Sequence, residues 1–204
     1  MNPYLQTGLA MCLIVLLALA ATAYLAVYFD RRAKADLQAA LDPLAELIHG
    51  SVDLDTATVT GTCEGQIVAA RMANAEGGVG RVFQTELVDP AGGDRWVYTS
   101  APPRERDGEP RIEFDSDRPA LRELLPSLTA MLPGEVADAQ RERLRLSYDP
   151  DSGCLRMVKG MKTRRDIPDT DHLHAQLSLL HRLGDENRAV QQRLHAETTE
   201  PQRP

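Results

Sequence analysis

Apolar residues follow three different rhythms along this chain. From Gly8 to Phe29 (GLAMCLIVLLALAATAYLAVYF) they are continuous and uninterrupted by charge. At the helical rise these 22 residues span about 33 Å, enough to cross a hydrocarbon core of roughly 30 Å. Tyr4 at one end and Tyr24, Tyr28 and Phe29 at the other place aromatic rings at headgroup depth. One transmembrane helix is predicted. From Arg31 to His49 the rhythm becomes that of a soluble helix, with Leu37, Leu41, Leu44 and Ile48 recurring at spacings of three and four. Asp42-Pro43 reads as an N-cap followed by an N1 proline, which predicts two short helices with a bend, and Gly50 marks the stop. This helical linker is expected to hold the folded domain close to the membrane.

Period-two alternation then takes over. Thr58 to Cys63 and Gln66 to Ala73 flank Glu64-Gly65, the signature of a tight hairpin. Arg81 to Val88 and Arg95 to Ser100 flank Asp89-Pro90-Ala91-Gly92-Gly93 and predict a second hairpin at the centre of the sheet, with Phe83, Thr85 and Leu87 on one face and Trp96 and Tyr98 on the partner strand. A short strand is read next at Arg111 to Asp115. Later, Leu144, Leu146 and Tyr148 alternate with Arg143, Arg145 and Ser147, then Asp149 to Gly153 turns the chain into a strand from Cys154 to Lys159. The two Asp-Pro-x-x-Gly turns share common turn chemistry and are not read as a duplication.

Helical rhythm returns twice. Asp117 is placed as the cap of a helix from Arg118 to Leu132, whose Leu121, Leu124, Leu125, Leu128 and Met131 form an apolar stripe expected to cover one sheet face, with Pro126 kinking it and Pro133-Gly134 ending it. From Thr170 to Ala196 a long C-terminal helix places Leu180, Leu183, Val190 and Leu194 at heptad a and d positions, with Asn187 at an intervening a position. That pattern fits either self-association through this helix or packing against the chain's own domain. The fold class is therefore α+β: an N-terminal transmembrane helix, an antiparallel sheet of about six or seven strands with one covering helix, and a long C-terminal helix. The domain reading is an anchor at 1–29, a juxtamembrane linker at 30–50, an α+β domain at 51–166 and a helical tail at 167–204.

Flanking charge sets the expected orientation. Arg31, Arg32 and Lys34 lie just after the span and no Lys or Arg precedes it, so the positive-inside rule puts the C-terminal side in the cytoplasm. Ala18-Leu19-Ala20 and Ala21-Thr22-Ala23 suit a signal peptidase, but the uncharged first residues and the length of the apolar run favour an uncleaved anchor. Cys12 lies inside that run, behind Met11, and reads as a small hydrophobe and not as a lipid-attachment site. Cys63 and Cys154 match no zinc or C-x-x-C pattern; they are reduced in a cytoplasmic domain and available for one bridge in an extracytoplasmic one.

The formal charge of −7 is dispersed and gives no general attraction to polyanions. With so few aromatics beyond the span there is no stacking platform for bases, and no nucleic-acid partner is expected. The densest positive cluster, Lys159, Lys162, Arg164 and Arg165, is a candidate contact for anionic lipid or an acidic partner, balanced locally by Asp166, Asp169 and Asp171. His172, His174 and their aspartate neighbours lack the i, i+4 pairing of a helical metal site. Glu76 to Arg81 is glycine-rich but leads into a strand, unlike a phosphate-cradling loop. No catalytic motif and no cofactor site is read. The expected function is a membrane-anchored, non-enzymatic binding module, with residues 8–29 in the membrane and a protein partner or second copy held through the C-terminal helix. The alternatives are a ligand sensor with its pocket between the sheet and the helix from Arg118 to Leu132, and a metal-dependent hydrolase using Asp169 to His174.

Overall fold

A computed structural model of the chain describes residues 3–75, 80–89, 93–102, 111–124, 126, 130, 143–163 and 166–199. The chain divides into two units, Met1–Ala40 and Leu41–Pro204. In the first, helix α1 (Pro3–Leu47) carries the apolar run, and Leu13, Leu16, Leu19 and Val27 are all exposed, with no protein against them. This stretch is long and apolar enough to cross a membrane. The expected division into two helices at Pro43 is not found: one helix runs through it. Pro43 faces outward while Leu41, Leu44, Ala45 and Ile48 are buried. Burying that stripe offsets the lost backbone hydrogen bond.

The helix ends in a Schellman arrangement within the second unit. The Gly50 amide donates to Ala45 O (2.8 Å) and the His49 amide to Glu46 O (3.2 Å), with His49 itself at φ 49. Its last turn lies directly on the sheet, the Thr62 amide donating to Ile48 O at 2.7 Å. A Cβ on Gly50 would meet Thr60 O at 2.0 Å, and one on Gly61 would meet Ile48 O at 2.3 Å. Only two glycines permit this approach.

The sheet has eight antiparallel strands: β1 (Ser51–Asp53), β2 (Thr58–Cys63), β3 (Gln66–Asn74), β4 (Arg81–Val88), β5 (Trp96–Ala101), β6 (Arg111–Ser116), β7 (Leu144–Asp149) and β8 (Cys154–Met161). Their spatial order is β1-β2-β3-β4-β8-β7-β5-β6. β1 carries only Val52 as an apolar residue, too short a pattern to register in the sequence. The β2–β3 hairpin forms as expected, Glu64 and Gly65 both taking positive φ. The expected β4–β5 hairpin does not: β4 pairs with β8 and β5 with β7, so the β7–β8 hairpin lies between them. The connection from Asp89 to Arg95 is a crossover, and the Asp89 amide donates to Gly153 O (2.7 Å) in the turn it passes.

The long helix α2 (Thr170–Thr199) covers the inner face of the sheet, against β4 and β8. Val59, Ala70, Thr85, Met157, Leu146 and Tyr98 form one buried row on this face, with Val68, Leu87, Leu155, Tyr148 and Trp96 as the next. Gly184 allows a close approach: a Cβ there would meet Asp89 Oδ2 at 2.7 Å and Leu155 Cδ1 at 3.3 Å. The helix placed from Arg118 to Leu132 opens as a 3-10 turn, Pro119–Glu123, whose N-cap is Arg118 and not Asp117, and the described residues Leu124, Pro126 and Ala130 after it are α-helical. Leu121 and Leu124 are buried, while Leu125, Leu128 and Met131 lie outside the residues whose side chains are described.

Trp96, the only tryptophan, reports on this core. Its ring stacks on Phe114 at 6.2 Å and its indole N–H donates to Asn187 Oδ1 at 2.9 Å. Gly61→Ala should destabilise the folded unit by about 1–3 kcal/mol through overpacking, read as a lower urea midpoint by Trp96 fluorescence; Gly160→Ala, where a Cβ meets nothing within 4 Å, should leave it unchanged or slightly raised. Equal midpoints for the two variants would contradict the close approach. Asn187→Ala should cost about 1–3 kcal/mol by stranding the indole N–H, accompanied by a change in the emission maximum of Trp96.

Candidate functional site

The inner face of the sheet is filled with core side chains; the outer face is where described residues leave space. A cavity of about 1170 Å³ lies over it. Strand alternation decides which residues reach this face. One row runs Glu86, Arg156, Ser147, Val97 and Asp115; the next runs Gln84, Val158, Arg145, Thr99 and Glu113. Beyond them Val82 faces Gly160 on β8, whose amide donates to Arg143 O at 3.4 Å, and Ala101 faces Arg111. At the opposite end Arg95 sits beside Asp149 at the mouth of the crossover.

Charge on this face departs from the chain as a whole. The lining of the hollow includes seven cationic residues and three carboxylates, and the same face carries Glu86 and Asp115 as well, in a protein of net charge −7. Glu86, only 17% exposed, is held by Arg156 (2.8 Å), Arg71 (3.5 Å) and the Gln84 amide, a compact network that orients Arg156. Among the described residues no carboxylate lies within ion-pair distance of Arg111 or Arg143. Valines at 82, 97 and 158 interleave with these cations, and the space above Gly160 is open. No aromatic side chain projects from this face among the described residues, since Tyr98, Phe114 and Tyr148 share the inner parity with Trp96.

The residues singled out from sequence are distributed differently. Lys159 shares the inner parity, in the row between Phe83 and Leu144, whereas Lys162 lines the outer cavity and its amide donates to Asp166 Oδ2 at 2.8 Å. The two lysines therefore do not build one patch, and Arg164 and Arg165 lie outside the described residues. Leu180, Leu183, Asn187, Val190 and Leu194 are all buried within the chain, where the a/d seam meets the sheet. Asp169 caps α2: its Oδ1 accepts from the His172 amide (2.9 Å) and lies 2.7 Å from His172 Nδ1. Among the described residues no group of three or more His, Cys, Asp or Glu side chains is arranged to hold a metal.

A bridge between Cys63 and Cys154 does not fit this fold, and both are free thiols. β2 and β8 are separated by β3 and β4, placing them about 14 Å apart at ordinary strand spacing, beyond the roughly 7 Å Cα separation a disulfide spans. Burial and the neighbouring Glu64 carboxylate push the Cys63 thiol up, further from its reactive form. The missed site residues, Arg81, Arg95, Arg111, Arg143, Arg145 and Arg156 in the lining and Arg71 beside Glu86, carry one local signal: Arg143, Arg145 and Ser147 alternate with core residues on one strand. Neighbouring strands were needed to show that the others join them.

Neither a protein-family model, nor a curated protein, nor a solved structure matches this chain.

Several exposed aspartates are held below the ordinary carboxylate range. For Asp149 the first cause is the Ser152 hydroxyl, joined by the Asp151 amide and the charges of Arg156 and Arg95. For Asp166 it is the Thr163 amide and then that of Lys162; for Asp169 it is the His172 amide and then its ring. Each lowered value means the folded state favours the carboxylate, so the stabilisation is present above the unfolded value near about 3.9 and is lost as pH falls through the folded one. The urea midpoint should therefore drop as pH is lowered below about 4, and drop less steeply in the Asp166→Asn/Asp169→Asn variant. An unchanged slope would contradict these contacts.

Proposed function

We propose that this chain is a membrane-anchored, non-enzymatic binding module whose receptor surface is the outer face of the sheet. Residues 8–29 form the membrane anchor, and Arg31, Arg32 and Lys34 favour a cytoplasmic placement for the folded unit. The observation that carries the reading is the asymmetry of the sheet. The inner face is closed by α2, Leu121 and Leu124, leaving no room there for a ligand among described side chains. The outer face combines cations, small hydroxyl residues and valines around a 1170 Å³ hollow. That volume lies above the roughly 300–1,000 Å³ of small-molecule pockets and fits a larger partner. A contact through the C-terminal helix would have to use its polar side, because the heptad leucines are committed to the sheet.

The test is occupancy of this face in native membranes. Thr99→Cys, placed on the outer face in a chain with Cys12, Cys63 and Cys154 replaced by Ser, should react readily with a maleimide as purified full-length protein. In permeabilised native membranes the same thiol should be protected at least several-fold. Equal rates in the two preparations would overturn the assignment of this face.

A further inference from the structure

We infer that the outer-face hollow receives an extended acidic peptide segment lying along the strand direction, with Asp or Glu at alternate positions. This deepens the binding-module reading above and rests on it. Spacing is the first argument. Arg143 and Arg145 stand two residues apart on β7, Arg156 occupies the next row on β8 opposite Ser147, and Arg95 the row after that, opposite Asp149. Each row is about 6.8 Å from the last, the repeat of same-side residues in an extended chain. A peptide lying along this stripe presents a carboxylate to each guanidinium in turn.

Side-chain chemistry is the second argument. Six of the seven lining cations are arginines, whose planar fork binds carboxylates with two parallel hydrogen bonds, an arrangement a lysine cannot offer. Gln84, Ser147 and Thr99 supply partners for the peptide groups in between, and Val82, Val97 and Val158 supply apolar contact. Other polyanions fit less well. A nucleic acid strand would find no ring on which to stack its bases, and its unbroken charge would meet Glu113, Asp149 and Asp151 on the same face. An acidic peptide can place neutral or basic residues opposite those three carboxylates.

The experiment uses the full-length chain in nanodiscs of zwitterionic phosphatidylcholine. The probe is a fluorescein-labelled, acetylated peptide of about ten alternating Glu and Thr residues, long enough to span four rows, followed by fluorescence anisotropy. Saturable binding that weakens with added salt is expected, with none for the matching Lys-Thr peptide. Arg143→Glu/Arg111→Glu should weaken it by about tenfold or more. Gly160→Trp, which fills open space without backbone strain, should also weaken it while Trp96-region folding is checked by thermal unfolding. Absence of binding, or binding untouched by both variants, overturns the inference. So does tighter association with an oligothymidylate of equal charge or with phosphatidylserine vesicles. If the Thr99→Cys thiol is protected in native membranes while the acidic peptide fails to bind, only the ligand class falls. If protection is absent as well, the binding face itself is wrong.

Discussion

The fold depends on how helix α2 clamps the crossover between β4 and β5. That connection links strands on either side of the β7–β8 hairpin, and its described residue Asp94 has backbone groups outside any strand pairing. The helix supplies their partners. Gln191 accepts from the Asp94 amide (3.2 Å) and donates to Asp94 O (3.0 Å), replacing a missing strand with one side chain. Arg188 pairs with the buried Asp89, and Asn187 accepts the Trp96 indole N–H where the chain re-enters the sheet. Two glycines make the fit: Gly93, at φ 108, leaves room for Gln191, and Gly184 lets the helix close on Asp89 and Leu155. Breaking one partner of the Asp89–Arg188 pair would leave a buried carboxylate uncompensated, which is why these polar groups belong to the core as fully as its leucines do.

That clamp sets the division of labour between the faces. α2 closes the inner face, and the last turn of α1 closes its β1–β2 end through Gly50 and Gly61. Neither of these contacts reaches the outer rows. There the alternating residues of six strands accumulate arginines around a hollow that a long acidic chain can enter. The Glu86 network shows how an outward arginine is held in place: its carboxylate is shared between Arg71 and Arg156, which limits how far either can swing.

Much of the architecture is legible along the chain because it arises from local rules. The apolar run, the Glu64-Gly65 hairpin, the Asp149 to Gly153 turn and the 3.5-residue rhythm of α2 each depend on neighbours within a few residues. The errors share another cause. The Asp89 to Gly93 turn has the right residues for a hairpin, yet strand pairing is decided by which faces can be buried together, and inserting β7 and β8 buries Trp96, Tyr98 and Tyr148 beneath one helix. Pro43 has the local chemistry of a helix start, and burial of Leu41, Leu44 and Ile48 carries the helix through it. Asn187 has the chemistry of a coiled-coil register residue, and the indole of Trp96 takes the place of a second helix within the chain.

The candidate site divides along the same line. Alternation on β7 puts Arg143 and Arg145 on one face from sequence alone, since side-chain parity is a property of a single strand. Arg71, Arg95, Arg111 and Arg156 join them only through the order β3-β4-β8-β7-β5-β6, and no spacing along the chain encodes that order. What the sequence determined by itself was the segment suited to a bilayer, the α+β class and most of the elements, because hydrophobic periodicity and turn chemistry act at short range. What only the tertiary structure decided was which strands are neighbours, and therefore where the cations gather. That outcome belongs to long-range burial, in which residues about a hundred positions apart, such as Asp89 and Arg188, meet because one helix must cover one face.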